Sequence, residues 1–286
     1  MNRAQGLGNA GGRGTELHQD VAQLFDLSGQ VALVTGGASK LGLDAADILA
    51  AAGCAVAVTS RDPEKAQRSA AAIADRYGVK TFGVGLDQSR FAPVRDAVAA
   101  VADWSGGRLD ILVNNSGGGS GGSVARLFER DPDDIDALIR TNLTGVIYCC
   151  REAGRLMAER RSGRIISIAS IAAYVGRDRA VYDRNGLAGQ PVDYAAAKAG
   201  ILGMTRDLAA YLAPMGITVN ALSPGGFERP DMPPGFVADY SRLTALGRMG
   251  RDGFDLKGAI LFLASPASGY VTGQDILVDG GFTLWK

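Results

Sequence analysis

Histidine is almost absent from this chain: its 286 residues contain one, His18, near the start. Catalysis by a His-centred triad, or metal chemistry at a His-rich site, has almost no material here. Cysteine is scarce as well. Cys54, Cys149 and Cys150 form no spaced framework; they read as small buried thiols in a reducing cytoplasm, and no metal site is expected. No uninterrupted apolar run approaches the ~20 residues of a membrane span. Neither sign of charge dominates, with 30 Lys+Arg against 30 Asp+Glu, so no global field favours nucleic acid or a membrane surface. Residues 1–22 carry five glycines and no apolar h-region. They read as a flexible N-terminal arm, free or packed on a neighbouring subunit, and not as a signal peptide.

What the chain does have is glycine (40 residues) and a hydrophobic content of 47%, ample for one large core. From residue 23 to 286 short apolar runs alternate with helical stretches, with no break in composition. Strands are predicted at 31–34, 55–59, 81–86, 111–113, 164–168, 217–221 and 276–278. Helices are predicted at 41–52, 63–77, 91–104, 192–212 and 255–264, with one long helix from Asp131-Pro132 toward Arg160. Continuous apolar strands separated by helices predict a single α/β domain: a doubly wound Rossmann domain, its mostly parallel sheet flanked by helices on both faces.

In such sheets ligands sit beyond the carboxyl ends of the strands. The first of these ends, Thr35-Gly36-Gly37-Ala38-Ser39-Lys40-Leu41-Gly42, is a glycine turn between a strand and a helix. Backbone N–H groups and the helix dipole there suit a phosphate. At the second strand end an acid would hold ribose hydroxyls; Ser60 stands in that place and Arg61 follows. Arg61 either pairs with a 2′-phosphate, which favours NADP(H) over NAD(H), or stacks on adenine without selecting. Asp87 and Gln88 close the third strand, and Asn114-Asn115-Ser116-Gly117 the fourth.

Tyr194-Ala-Ala-Ala-Lys198 places a phenol and an ammonium on one helix face. An ammonium beside a phenol favours the phenolate and is expected to lower the tyrosine pKa from ~10, making Tyr194 a general acid/base. Alone, the motif is weak.

Together these residues resemble the short-chain dehydrogenase/reductase family, from Phe25 to the C-terminus; the long interval from Ser170 to Tyr194, with Phe227-Glu228-Arg229-Pro230 and Leu246-Gly247-Arg248-Met249, is most similar to its gluconate 5-dehydrogenase-like branch. Thr35-Gly36 and Gly42 match its glycine motif, and Asn114 to Gly117 its Asn-Asn-Ala-Gly segment. Asn142, Ser170, Tyr194 and Lys198 match its catalytic four, and Pro224-Gly225 its Pro-Gly turn. The resemblance implies a nicotinamide cofactor contacted by Gly36, Ser39, Lys40, Leu41, Gly42, Ser60, Arg61, Asp87, Gln88, Asn115, Ser116, Gly117, Tyr194, Lys198, Pro224, Gly225, Gly226 and Phe227. It also implies that Tyr194 protonates the developing alkoxide, that Ser170 bonds the same oxygen, that Lys198 holds the ribose, and that Asn142 shapes its helix and holds a relay water. A homotetramer or homodimer, joined through helices 132–160 and 192–212, is the expected assembly.

Three departures from the family pattern stand out. Lys40 replaces the middle glycine of the turn; it either offers its ammonium to a cofactor phosphate or lies in solvent. Arg229 stands about where the family has a threonine after Pro-Gly. Ser170 and Tyr194 are 24 residues apart, about twice the usual spacing. The extra segment, within Tyr174–Pro191, is expected at the substrate mouth, with Arg184 and Arg179 meeting a carboxylate or phosphate and Tyr182 as an aromatic wall. Its charges suggest a small polar hydroxy/keto substrate, sugar-, polyol- or hydroxy-acid-like. Two alternatives are a 3-oxoacyl-(acyl-carrier-protein)-type ketoreductase and a catalytically silent cofactor-binding scaffold.

Overall fold

The computed structural model describes residues 18–119 and 124–285. Seven parallel strands form one sheet: β1 (Val31–Val34), β2 (Ala55–Ser60), β3 (Thr81–Gly85), β4 (Ile111–Asn114), β5 (Gly163–Ile168), β6 (Ile217–Pro224) and β9 (Asp275–Val278), in the order β3-β2-β1-β4-β5-β6-β9. All four residues of β1 and all four of β4 are buried. That is why their sequences run apolar without alternation: helices cover both faces. On one face lie α2 (Lys40–Ala51), α3 (Pro63–Tyr77) and α10 (Lys257–Ala264), packed through Leu49, Ile73 and Ile260. On the other lie α4 (Phe91–Ser105), α6 (Gly145–Arg160) and α8 (Val192–Leu212), packed through Val101, Met157 and Ile201.

The chain reverses its winding between β1 and β4, so these two strand ends flank the crevice where α/β sheets bind ligands. Helix ends follow the expected chemistry. Asp62 caps α3 by accepting from Lys65 N at 3.1 Å, Pro63 begins it, and Gly78 ends it in the left-handed region (φ 69°).

Three features differ from the sequence expectation. The long helix 132–160 is continuous but carries a π turn at Arg140–Thr144, between α5 (Pro132–Ile139) and α6. The arm, expected to reach residue 22, is already helical over α1 (Gln19–Phe25), where His18 Nδ1 accepts from Asp20 N; the rest of the arm, 1–17, lies outside the described residues. Two short helices were not predicted. They are α7 (Arg179–Asp183) inside the long Ser170–Tyr194 interval, and α9 (Pro234–Arg242), which lies between the two strands of a small parallel pair, β7 (Phe227–Glu228) and β8 (Gly250–Arg251). Among the described residues no helix is long and apolar enough to cross a membrane, and no group of three or more His, Cys, Asp or Glu is placed to hold a metal.

Candidate active site

A cleft of about 1510 Å³ opens at the carboxyl ends of the strands. Its first half is built from backbone. Gly36 turns with φ 63°, its N–H donating to Thr59 Oγ1 at 3.0 Å, and Thr35 Oγ1 accepts from Asn115 N and Ser116 N at 3.0 Å each. Asn115 Nδ2 returns to the carbonyls of Thr35 and Gly36 at 3.1 and 3.2 Å. Asn115 therefore splices the β1 turn to the β4 end, besides lining the cleft with Gly36, Ser116 and Gly117. Gly42 lies behind this lining: a Cβ there would collide with Gly36 O and Asn115 Nδ2. Its part is close packing of α2 against the turn, not contact with a ligand. Lys40 carries the turn's cost, sitting in the left-handed region at φ 53°, a conformation worth roughly 1 kcal/mol against an L residue.

Ser39, Lys40 and Leu41 line the cleft beside this turn. Ser60 and Arg61 line the adjacent end, joined by Lys65 from α3, a cation that strand-end reasoning did not reach. Asp87 and Gln88 line it too. Asp87 Oδ1 accepts from Ser89 Oγ at 2.6 Å, while Gln88 Nε2 donates to Ser116 O and Thr141 O at 3.0 and 2.7 Å, tying the β4 end to the π turn.

The floor carries the catalytic candidates. Asn142, buried within the π turn, donates from Nδ2 to Leu138 O at 3.1 Å and accepts at Oδ1 from Gly118 N at 2.9 Å. Both its polar atoms thus meet backbone, and the side chain fixes the turn after β4. Ser170, at the end of β5, accepts from Ala172 N at 3.1 Å. Lys198 is buried and donates to Ile168 O at 2.7 Å, with Nζ 5.7 Å from the Tyr194 ring centroid. Burial pushes its pKa down to about 8; its charge is complete well below that pH and is lost as pH rises through it. Tyr194 departs from the expected direction. Burial raises its pKa, outweighing the lowering by the Ser170 hydroxyl and the Arg177 guanidinium. The cation acting on the phenol is Arg177, whose Cζ lies 5.5 Å from the ring centroid.

Asp193, next to Tyr194, meets Arg130 in a fork: Nε to Oδ1 at 2.9 Å and Nη2 to Oδ2 at 2.7 Å, with both side chains almost wholly buried. Arg130 Nη1 also donates to Val124 O at 2.8 Å. The start of α8, and with it Tyr194, is pinned to the loop before α5.

Pro224, Gly225, Gly226 and Phe227 line the last wall, together with Arg229. Arg229 Nε is buried without a hydrogen-bond partner, and Asp252 Oδ2 lies 3.9 Å from it. The neighbouring Gly253 N donates to Asp44 Oδ2 at 3.0 Å, and Asp44 belongs to α2. Arg229 therefore lines the cleft with one buried N–H unpaired beside a long ion pair to Asp252. The glycine turn at the start of α2 and this orphaned donor fit a dinucleotide whose phosphates rest on the N–H groups of that turn.

At the mouth, Tyr182 lines the cleft and tilts against Phe236, with ring centroids 5.1 Å apart. Arg184 does not line it. Its Nε donates to Asp239 Oδ2 at 2.6 Å, joining α7 to α9. Arg179 is not on the lining either, and it reaches Gln190 O at 3.4 Å. Val175, Val181 and Leu187 pack with Met232, Phe236 and Leu243, and they line the cleft beside Arg177, Tyr182 and Gln190, so the mouth carries an apolar cluster that its charge-rich sequence does not suggest.

Comparison with known proteins agrees with this geometry. Residues 36–283 match the family model described as enoyl-(acyl carrier protein) reductase. The 3-oxoacyl-[acyl-carrier-protein] reductase FabG of Vibrio cholerae is 36% identical over 265 residues, covering 91% of this chain and 100% of that one. D-threitol dehydrogenase of Mycolicibacterium smegmatis is 35% identical over 269 residues, covering 91% and 95%. The crystal structure of a gluconate 5-dehydrogenase from Burkholderia cenocepacia, in complex with NADP and tartrate, superposes with a TM-score of 0.83 at 34% identity, covering 93% and 100%. With the glycine turn, the Ser170–Tyr194–Lys198 floor and these matches along nearly its whole length, the chain belongs to the short-chain dehydrogenase/reductase family, oxidoreductases that act on hydroxyl and keto groups with NAD(P)(H).

Proposed function

We propose that this protein moves hydride between NADP(H) and a small hydroxy/keto compound with a polar head. The placement of Tyr194 between Ser170 and Lys198 on the cleft floor carries this reading. The bound nicotinamide supplies or accepts the hydride. Tyr194 gives the proton to the oxygen of the reduced carbonyl, and in the reverse direction removes it. Ser170 donates to the same oxygen and stabilises its developing charge. Lys198, fixed by Ile168 O, holds the ribose hydroxyls and keeps a positive charge near the phenol below pH about 8. Asn142 holds the floor by bridging Leu138 O and Gly118 N. A cofactor-binding scaffold has no physical need for this set, which speaks against a silent role.

The preference for NADP(H) rests on Lys40, Arg61 and Lys65, three cations lining one end of the cleft. Asp62, on the same lining, accepts from Lys65 N in capping α3, and the place of a ribose-binding acid is taken by Ser60. Homo-oligomer formation is supported by Ile147 on α6 and Tyr211 on α8, exposed at 44% and 66%. A cytoplasmic setting is in keeping with three free, buried thiols; burial holds that of Cys150 at about 12. A ketoreductase acting on carrier-bound β-ketoacyl groups is the second reading, favoured by the apolar mouth and the FabG relatives. Absorbance at 340 nm, followed with both cofactors against polyols, sugar acids, keto acids and a β-ketoacyl thioester, tests all of this. Turnover confined to the thioester favours the second reading; faster turnover with NADH rejects the cofactor preference.

A further inference from the structure

The three arginines of the segment between Ser170 and Tyr194 have different fates. Arg184 is committed to Asp239, and Arg179 lies outside the cleft. Arg177 lines the cleft, half-buried, with Cζ 5.5 Å from the Tyr194 ring centroid. Among the described residues its one hydrogen bond is a long one, Nη1 to Gln190 O at 3.4 Å, and no carboxylate lies within ion-pair distance. The adjacent acid, Asp178, is occupied in capping α7, where Oδ1 accepts from Ala180 N at 3.0 Å. A guanidinium has five N–H donors in a planar fork, and this one leaves most of them unused beside the reacting centre. The wall around it is apolar: Val175, Val181, Leu187, Met232 and Phe236. A half-buried cation with one long hydrogen bond and an aromatic face keeps donors free for a planar anion, and an apolar body on that anion would meet the apolar part of the same lining.

We infer that Arg177 is the anchor for a substrate carboxylate, so that the substrate is a keto or hydroxy acid whose apolar body packs on the mouth cluster. This rests on the hydride-transfer reading and narrows its substrate class. With Arg177 Cζ 5.5 Å from the Tyr194 ring centroid, a carboxylate on the fork and a carbonyl at the Tyr194 hydroxyl belong to one short molecule. Arg177 thereby does what Arg179 and Arg184 were expected to do, from a position that counting charges along the segment does not single out.

The test compares a branched-chain β-keto acid with its methyl ester, which keeps the skeleton and removes the charge. The parent enzyme should favour the acid by about 10- to 100-fold in kcat/KM, the scale of a charge-assisted pair. Arg177→Gln should erase that preference through KM for the acid, while the loss of its charge beside the Tyr194 phenol falls on kcat for acid and ester alike; Arg177→Lys should restore part of the preference. Equal use of acid and ester by the parent overturns the inference. So does an Arg177→Gln variant that keeps the parent's acid-over-ester ratio, whatever common change in kcat or its pH profile follows from the lost charge beside the Tyr194 phenol. Calorimetric titration of the NADP⁺-saturated parent and Arg177→Gln with a saturated branched carboxylate gives a readout without turnover. Binding by the parent and loss in the variant supports the anchor; no binding by the parent, or equal binding by both, overturns it. If no carbonyl compound is reduced with either cofactor, the hydride-transfer reading fails instead, and the titration separates the two failures.

Discussion

The cofactor side of the cleft and the substrate side are built by different means. Around β1, β2 and β4 the walls are main chain: Gly36 N on Thr59, Thr35 Oγ1 on two N–H groups, and Asn115 on two carbonyls. At the mouth, shape comes from side chains that choose one another across long separations, such as Arg184 with Asp239, 55 residues apart. Backbone architecture demands glycine, threonine or asparagine at fixed places and so leaves a pattern. Side-chain pairing accepts many substitutes and leaves little trace.

Tyr194→Phe should produce the largest effect and should fall on chemistry common to both sides. Turnover is expected to drop by about 10²–10⁴-fold, with NADPH affinity by fluorescence titration almost unchanged. Near-normal kcat would remove Tyr194 from its role and leave the two sides without a shared centre. Next in size is the joint that holds that centre to the mouth. Asp193→Ala leaves the Arg130 guanidinium buried without its carboxylate and should cost about 3–5 kcal/mol in urea unfolding. A loss under ~1 kcal/mol would mean that Val124 O and water satisfy Arg130.

The cofactor side can then be divided within itself. Arg61→Ala should weaken NADPH by about 1–3 kcal/mol and scarcely alter NADH, whereas Arg229→Ala should weaken both alike because it lines the wall of Pro224 to Phe227 and not the Lys40, Arg61 and Lys65 end. The same discrimination by both variants would place Arg229 at the adenosine end and undo that division. The smallest effect belongs to Arg184→Ala: a shallow drop in melting temperature as α7 loosens from α9, with KM for the identified substrate unchanged. A clear rise in KM would show that the α7–α9 joint shapes the pocket as well as the surface.

Most of the sheet was legible because the buried strands β1 and β4 read as apolar runs and Gly78 and Pro63 punctuate α3. The candidate catalytic positions could be picked out because Asn142, Ser170, Tyr194 and Lys198 occur in recognisable order. Other features were hidden for physical reasons. A π turn needs no special composition, so Arg140–Thr144 looked like uninterrupted helix. Charges dominate Tyr174–Pro191 in number, while its fold turns Val175, Val181 and Leu187 inward. The direction of the Tyr194 pKa depended on how deeply the phenol is buried, which a Tyr-x-x-x-Lys spacing does not report.

The π turn also restricts how this chain tolerates length changes. Each extra residue in a helix advances the following face by about 100°. The same turn aims Asn142 at Gly118 and sets the phase with which Cys149, Ala153 and Met157 enter the core. Deleting one residue between 140 and 144 would swing Arg151 and Arg155 toward positions now apolar. A chimera with a relative should therefore take this turn and the whole of α6 from a single parent, since a splice between them would misalign two structures that are each intact.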